Sequence, residues 1–431
     1  MQKTSAPHKL FYGWIVAATA FFTFGLAVGL PYYNIPFFYD YFAKTFHWTG
    51  PQITLGFPLA ALPTVIIGPL LIHRYSPRRL ILLGSLLTSA ALICFGLMGP
   101  NVWIYWGIWV IFAVGYILAG PIPHQIIIAQ WFRKSRGKAM GVIYVGVGLV
   151  GFLGSFLVAP VTQHFGFHRA LMILGGLVLL AWPLVFFILR DRPSEKGLFP
   201  DGAATAPAEI SAAPYSYRFL MSRPSFWLLV LGSTCSIGSI GAVNMLMKLV
   251  FMGHMSIPRS DPQFQPLLDE TWRAASMIIL AASIVGRIVI GTFSDHFSKK
   301  WVMAISYFLS ASTIPILLSV APPATPWLFA LLFGVAMGAD YMLIPLMAAE
   351  QFGVTSLPRA MAIILPANTI GQTWFPYFTA VLKQHFGDYT VPMYVVFAVA
   401  ATSGIAISLL PPPEARRTPA EEAARVSERA G

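Results

Sequence analysis

Charge is scarce in this chain: only 10% of its 431 residues are Asp, Glu, Lys or Arg, against roughly 25% in an ordinary soluble domain. That scarcity excludes a water-soluble globule, because a chain that is 57% hydrophobic has too little polar surface to enclose itself without large exposed apolar patches. Cysteine is nearly absent as well. Cys94 and Cys235 both fall inside apolar runs, which excludes a disulfide scaffold and a cysteine-based zinc site. The sequence has no His-Glu-x-x-His pattern, no Gly-x-x-x-x-Gly-Lys phosphate loop and no pair of mid-membrane carboxylates, so we expect neither an enzyme nor an ATP-driven pump, and neither metal nor cofactor. Net charge is +12. It is scattered between apolar runs, whereas a nucleic-acid reader needs it gathered on one soluble face, so nucleic acid is not expected as a partner.

What the chain has instead is long hydrophobic runs. A hydrocarbon core ~30 Å thick needs about 20 apolar residues per helix and tolerates no unpaired backbone. Twelve such runs occur, at approximately 11 to 39, 53 to 72, 80 to 99, 102 to 131, 139 to 160, 169 to 189, 225 to 251, 273 to 294, 301 to 320, 327 to 349, 360 to 382 and 391 to 410. The first is too long for a signal peptide and is expected to be retained as a span. Lys and Arg between the runs are strongly biased: 21 of 28 fall on the side of both termini and of the stretch 190 to 224, and five on the other. The bias predicts a multi-pass protein of the cell membrane with both termini cytoplasmic, its natural partner being the lipid bilayer.

The chain also repeats itself. Gln163-His-Phe-Gly166 returns as Gln384-His-Phe-Gly387, 221 residues on, and Ala139-Met140 and Met172 recur as Ala360-Met361 and Met393 at the same offset. His73-Arg74-Tyr75-Ser76 corresponds to Asp295-His296-Phe297-Ser298 at 222. A shared offset across ordered landmarks points to duplication of six spans. The expected architecture is all-α, with twelve transmembrane helices in two pseudo-symmetric six-helix bundles: a half at 1–189, a cytoplasmic linker at 190–224, a second half at 225–410 and a tail at 411–431. The linker is rich in Ala, Pro and Ser, and reads as flexible or laid on the surface.

Several stretches carry a family resemblance. Gly291-Thr-Phe-Ser-Asp295-His-Phe-Ser-Lys299-Lys300 is similar to the Gly-x-x-x-Asp-Arg-x-Gly-Arg-Arg loop of the major facilitator superfamily; its first-half copy departs further, with His73 where Asp is expected. Trp131-Phe132-Arg133-Lys134-Ser135-Arg136-Gly137-Lys138-Ala139-Met140-Gly141, the stretch Arg190 to Gly202, and Gly29-Leu30-Pro31-Tyr32 resemble the branch of monocarboxylate transporters and oxalate/formate antiporters. The resemblance runs from Tyr12 to about Leu410. It implies alternating access by two rocking bundles, a gating role for Asp295, Arg74 and Arg136, and a substrate-binding arginine in span eight at Arg287. It also implies two proton carriers that are missing here, Ser283 standing one turn before the arginine and Tyr32 standing where span one has Lys.

Ionisable groups at mid-membrane are the first candidates for function. Arg287 in span eight and Asp340 in span ten lie about 21 and 20 Å from the same surface at 1.5 Å per residue. Arg287 offers a bidentate fork for a carboxylate with Asp340 as balancing charge or proton carrier; alternatively the two form a permanent ion pair. Lys248, one turn from Asn244, reads as a substrate ligand or a snorkelling lysine. His124 reads as a packing histidine or a titrating group. Tyr32, of the polar break Tyr32-Tyr33-Asn34, faces a cavity or an aromatic belt. Asn368 and Gln372 bind substrate or hold helices together, and Tyr341, beside Asp340, joins the substrate candidates. Gly146, Gly148, Gly151 and Gly154 read as close-packing positions. The leading expectation is a secondary transporter of a small organic anion, most of all a monocarboxylate, monomeric and coupled to a proton or to exchange. The alternatives are a transporter of a larger amphipathic compound and a transporter-like ligand sensor.

Overall fold

Where no water can satisfy backbone groups, a chain must satisfy them within itself, and all regular structure among the described residues is helical. The computed structural model describes residues 11–59, 75–132, 135–203, 215–321, 326–353 and 356–412. In the first half the helices are α1 (Tyr12–Phe46), α2 (Gly50–Thr54), α3 (Pro77–Leu97), α4 (Val102–Leu118), α5 (Pro121–Trp131), α6 (Arg136–Val178) and α7 (Ala181–Phe187). After the connecting stretch come α8 (Tyr217–Met221), α9 (Pro224–His254), α10 (Phe264–His296), α11 (Lys299–Ser319), α12 (Trp327–Phe352), α13 (Leu357–Phe386) and α14 (Thr390–Ser408).

Nine helices among the described residues are long and apolar enough to cross a membrane. One of them, Lys138–Phe187, holds 50 residues and turns at Gly166, whose φ of 78° and ψ of 160° break the helix, so it makes two passes. α13 adds a helix of 30 residues. The second expected run lies mostly outside the described residues.

The duplication is visible in matched elements of the two halves. α3 and α11 are both 21 residues long, and their first and last residues stand 222 apart. Each Gln-His-Phe-Gly motif ends its helix on a glycine at positive φ, 78° at Gly166 and 88° at Gly387, a conformation open to Gly because it has no Cβ. α1 bends through a π turn at Gly25–Gly29 and a 3-10 turn at Ile35–Phe38 that contains Pro36. The fourth span breaks between α4 and α5 at Gly120, where Pro121 and Pro123 lack the N–H a continuous helix needs.

Within the first half α3 packs on α6 and α4; within the second, α10 packs on α12, α9 on α13 and α11 on α14. The halves meet mainly through α10 on α6 and α13 on α2. Residues 190–203 are tied to the helix ends at their face of the molecule. Asp191 Oδ1 accepts from the Arg78 amide at 2.8 Å, the Arg190 carbonyl from Trp131 Nε1 at 2.9 Å and Asp201 Oδ1 from the Ser135 amide at 3.2 Å. This face is called the linker side below, and the opposite face the far side.

Candidate functional site

Arg287 lies on α10 where it crosses α6, and it is partly buried. Its Nη1 donates to the Tyr144 carbonyl of α6, and the phenols of Tyr33 and Tyr144 are its electrostatic neighbours. No carboxylate pairs with it among the described residues. The glycines of α6 divide by face: Gly146, Gly151 and Gly154 lie against Phe21, Tyr33 and Asn34 of α1, while a Cβ on Gly148 would come within 3.6 Å of Arg287 Nη1. Space beside the guanidinium is therefore left by the absence of a side chain at residue 148.

Further along the same helices a small cavity, with room for about one water molecule, lies between the halves, lined by Tyr32, Tyr33 and Pro36 from α1, Asn244 from α9, and Trp272 and Ser276 from α10. Tyr32 is buried and accepts a hydrogen bond from Gln372 Nε2 of α13 at 2.6 Å, a polar link across the halves. Its ring packs edge-on against Tyr33 at 5.1 Å and beside Tyr116 at 6.1 Å. Tyr341 is 40% exposed and shares the electrostatic surroundings of Tyr32, Tyr33 and Tyr116, so it belongs to the same phenolic wall. Asn244 is partly buried, with Nδ2 at 3.3 Å from Met337 Sδ. The sequence did not single out Tyr116 or Tyr144, because neither is ionised and one aromatic among 14% aromatic residues carries no signal.

Asp340 does not face Arg287. It is buried, its Oδ2 accepts from Ser236 of α9 at 2.9 Å, and Tyr307 of α11 lies against it. The two charges share a depth but point into different bundles, so the alternative of a permanent Arg287–Asp340 pair is not what the chain adopts. His124 is fully buried: Nδ1 donates to the Gly120 carbonyl at 2.9 Å, Nε2 stands 3.0 Å from the Thr23 hydroxyl, and the ring stacks on Phe24 at 4.9 Å. Asn368 is turned to α9, where Oδ1 accepts from Ser233 at 2.9 Å and Thr234 at 3.0 Å. Of the loop candidates, Arg74 lies outside the described residues, Arg136 opens α6 and Asp295 is in the last turn of α10.

Lys248 corrects the snorkelling reading. It is 1% exposed, and its Nζ lies 2.7 Å from Asp40 Oδ1 and 2.8 Å from Asp269 Oδ1 while donating to the Phe37 carbonyl at 2.8 Å. Around this core Tyr41 donates to Asp269 Oδ2 at 2.5 Å, and Gln265 Nε2 donates to Asp40 Oδ2 at 2.7 Å and to Asp269 Oδ1 at 2.9 Å. The ammonium also sits 3.6 Å from the centre of the Phe37 ring, a cation–π contact. These groups come from the far-side ends of α1, α9 and α10, so the cluster ties the two halves together there. Sequence reasoning missed Asp40 and Asp269 because both lie just beyond the apolar runs.

Comparison with known proteins places the chain. The profile of the Major Facilitator Superfamily matches residues 13–268 and 271–430. Monocarboxylate transporter 12 of Rattus norvegicus is 26% identical over 360 residues, covering 75% of this chain and 69% of that protein. MFS-type transporter 1 of an Ophiocordyceps species is 25% identical over 388 residues, covering 85% and 79%. Among solved structures, the nucleoside transporter NupG superposes with a TM-score of 0.71 at 11% identity, covering 92% of this chain and 99% of that one. A bacterial homolog of the human lysosomal transporter Spinster, inward-facing and unoccupied, gives 0.62 at 14%, covering 93% and 95%. The structural likenesses speak to fold alone. With the profile matched along nearly its whole length and its relatives transporters rather than enzymes, this multi-pass chain belongs to the Major Facilitator Superfamily and has its twelve-helix fold.

Proposed function

We propose that this transporter moves a small organic anion, a monocarboxylate above all, by alternating access, and that Arg287 receives the carboxylate. The observation that carries the reading is the state of Arg287: a guanidinium between the two bundles, held by a carbonyl and flanked by phenols, with no carboxylate partner among the described residues. An ion held this way has most of its desolvation cost still uncompensated, and an incoming carboxylate supplies the missing charge through two parallel hydrogen bonds. Gly148 leaves a methyl-sized space beside it. Tyr32, Tyr33, Tyr341, Asn244 and Gln372 supply the surrounding polar edge and aromatic faces, which favours anions with a compact apolar part. One of the relatives, monocarboxylate transporter 12, carries this class in its name.

In this reading the linker side is cytoplasmic, as the Lys and Arg bias predicts, the protein works as a monomer, and the family loop around Asp295, with Arg74 and Arg136, controls opening on that side. Asp340 is the candidate proton carrier inside the second bundle; His124, with both ring nitrogens engaged, is a weaker one.

The test is uptake and counterflow of labelled lactate, pyruvate, formate and oxalate into proteoliposomes, with and without a pH gradient. At least one anion is expected to move, and Arg287→Lys is expected to lower its transport by about tenfold or more, since a charged, bidentate hydrogen bond is worth roughly 1.5–3 kcal/mol. Movement of none of the four, or an unaffected Arg287→Lys variant, contradicts the reading.

A further inference from the structure

Two carboxylates and one ammonium occupy a single buried site at the far side. Asp40 and Lys248 are 0% exposed in their side chains and Asp269 is 1%. With both acids ionised, this core holds one negative charge in excess. The neighbouring charges do not cancel it from within. Lys44, which interacts with both acids, and Arg259 near it are exposed and screened by water, and Lys44 donates to Gln265 Oε1 rather than to an acid. Tyr39, on α1, donates to Met245 Sδ at 3.6 Å, and His168 of α6, next in sequence to the Phe167 ring that packs on Tyr41 at 5.7 Å, binds the Gly96 carbonyl through Nδ1 at 2.8 Å. Asp40 Oδ1 touches the ammonium in ion contact but accepts no hydrogen bond.

Burying an uncompensated charge is costly, and a group so placed neutralises itself where it can. Because the three residues come from both halves, the burial exists only while the far side is closed. We propose that Asp40, Lys248 and Asp269 form a proton-binding site that takes up one proton from solution when the far side closes and gives it up when that side opens. Met247, adjacent to Lys248, and Pro36, Trp272 and Ser276, one or two turns from Asp40 and Asp269, line the central cavity, so the site adjoins the proposed substrate region. It stands where the resemblance left the coupling step without residues.

The test is a distance measurement in the full-length protein without substrate, so it does not depend on what Arg287 binds. Nitroxide labels at Pro100→Cys and Ser260→Cys, exposed far-side positions on the two halves, are introduced with Cys94→Ser and Cys235→Ser, and distance distributions are recorded from about pH 5 to 8. The ratio of closed to open populations is expected to rise on acidification by up to about tenfold per pH unit, the limit for one linked proton. Asp269→Asn, which mimics the protonated acid, is expected to stay closed and to lose the dependence; Asp40→Asn serves as the second variant if the first does not fold. A pH-independent ratio in the parent protein, an unchanged dependence in the Asn variants, or Asn variants that are open at every pH overturns the proposal. A pH-independent ratio with both distances populated overturns it while leaving alternating access standing; a single fixed distance overturns both.

Discussion

The far-side cluster and the mid-membrane arginine are two solutions to the same problem, a cation placed between two bundles. Lys248 is surrounded by two carboxylates at 2.7 and 2.8 Å and a carbonyl at 2.8 Å. Arg287 has a carbonyl, two phenols and a glycine-made gap. The first cation has its anions built into the chain and joins the halves; the second lacks one and is poised for an anion from outside. Location in a membrane marks both as unusual, but only the partner inventory separates a seal from a binding site.

Replacing each cation should break the comparison most visibly. Lys248→Met leaves two acids buried without their counter-ion and is expected to cost about 3–5 kcal/mol, read as a large fall in the thermal unfolding midpoint in detergent. Arg287→Met is expected to be neutral or slightly stabilising in the same assay, since no carboxylate is stranded by its loss. A similar fall in both variants would erase the distinction. Next in size is ligand affinity: Arg287→Lys should weaken binding of the transported anion by roughly tenfold to a hundredfold. Asp340→Asn keeps an oxygen for the Ser236 hydroxyl and should change affinity less than about threefold, removal of a carboxyl from a site turned away from Arg287 costing within roughly 0.5 kcal/mol of binding. If proton-driven accumulation disappears in Asp340→Asn while the far-side pH dependence persists, the coupling proton travels through the second bundle. Smallest is Tyr41→Phe, which removes one donor from Asp269 and should lower stability by about 1 kcal/mol.

The spans were legible because their signal is long, repeated and imposed by lipid. Arg287 is conspicuous in the sequence as an arginine inside an apolar run, with Gly291 and Asp295 following at family spacing. Depth arithmetic placed Arg287 and Asp340 at one height, but it fixes no azimuth, and the helices turn the two residues toward different bundles. The Lys248 cluster was hidden for a different reason. The first apolar run ends near 39 and the eighth begins near 273, whereas α1 continues to Phe46 and α10 begins at Phe264, so Asp40 and Asp269 read as loop residues in the sequence. Hydropathy windows sized to the hydrocarbon miss the helical extensions beyond it, where this chain keeps its charges. No single-sequence feature would have paired residues so distant in the chain. His124 could be narrowed no further than packing or titration, because its two partners, Gly120 and Thr23, are set by the break between α4 and α5.

The most direct measurement is a calorimetric titration of the purified protein with whichever of lactate, pyruvate, formate or oxalate it transports, on the parent chain and on Arg287→Gln. The expected result is saturable binding of one anion per chain that is lost in the variant, with the thermal midpoint of the unliganded variant unchanged or raised. Equal affinity in the two proteins would contradict the central claim that Arg287 waits for its carboxylate from outside.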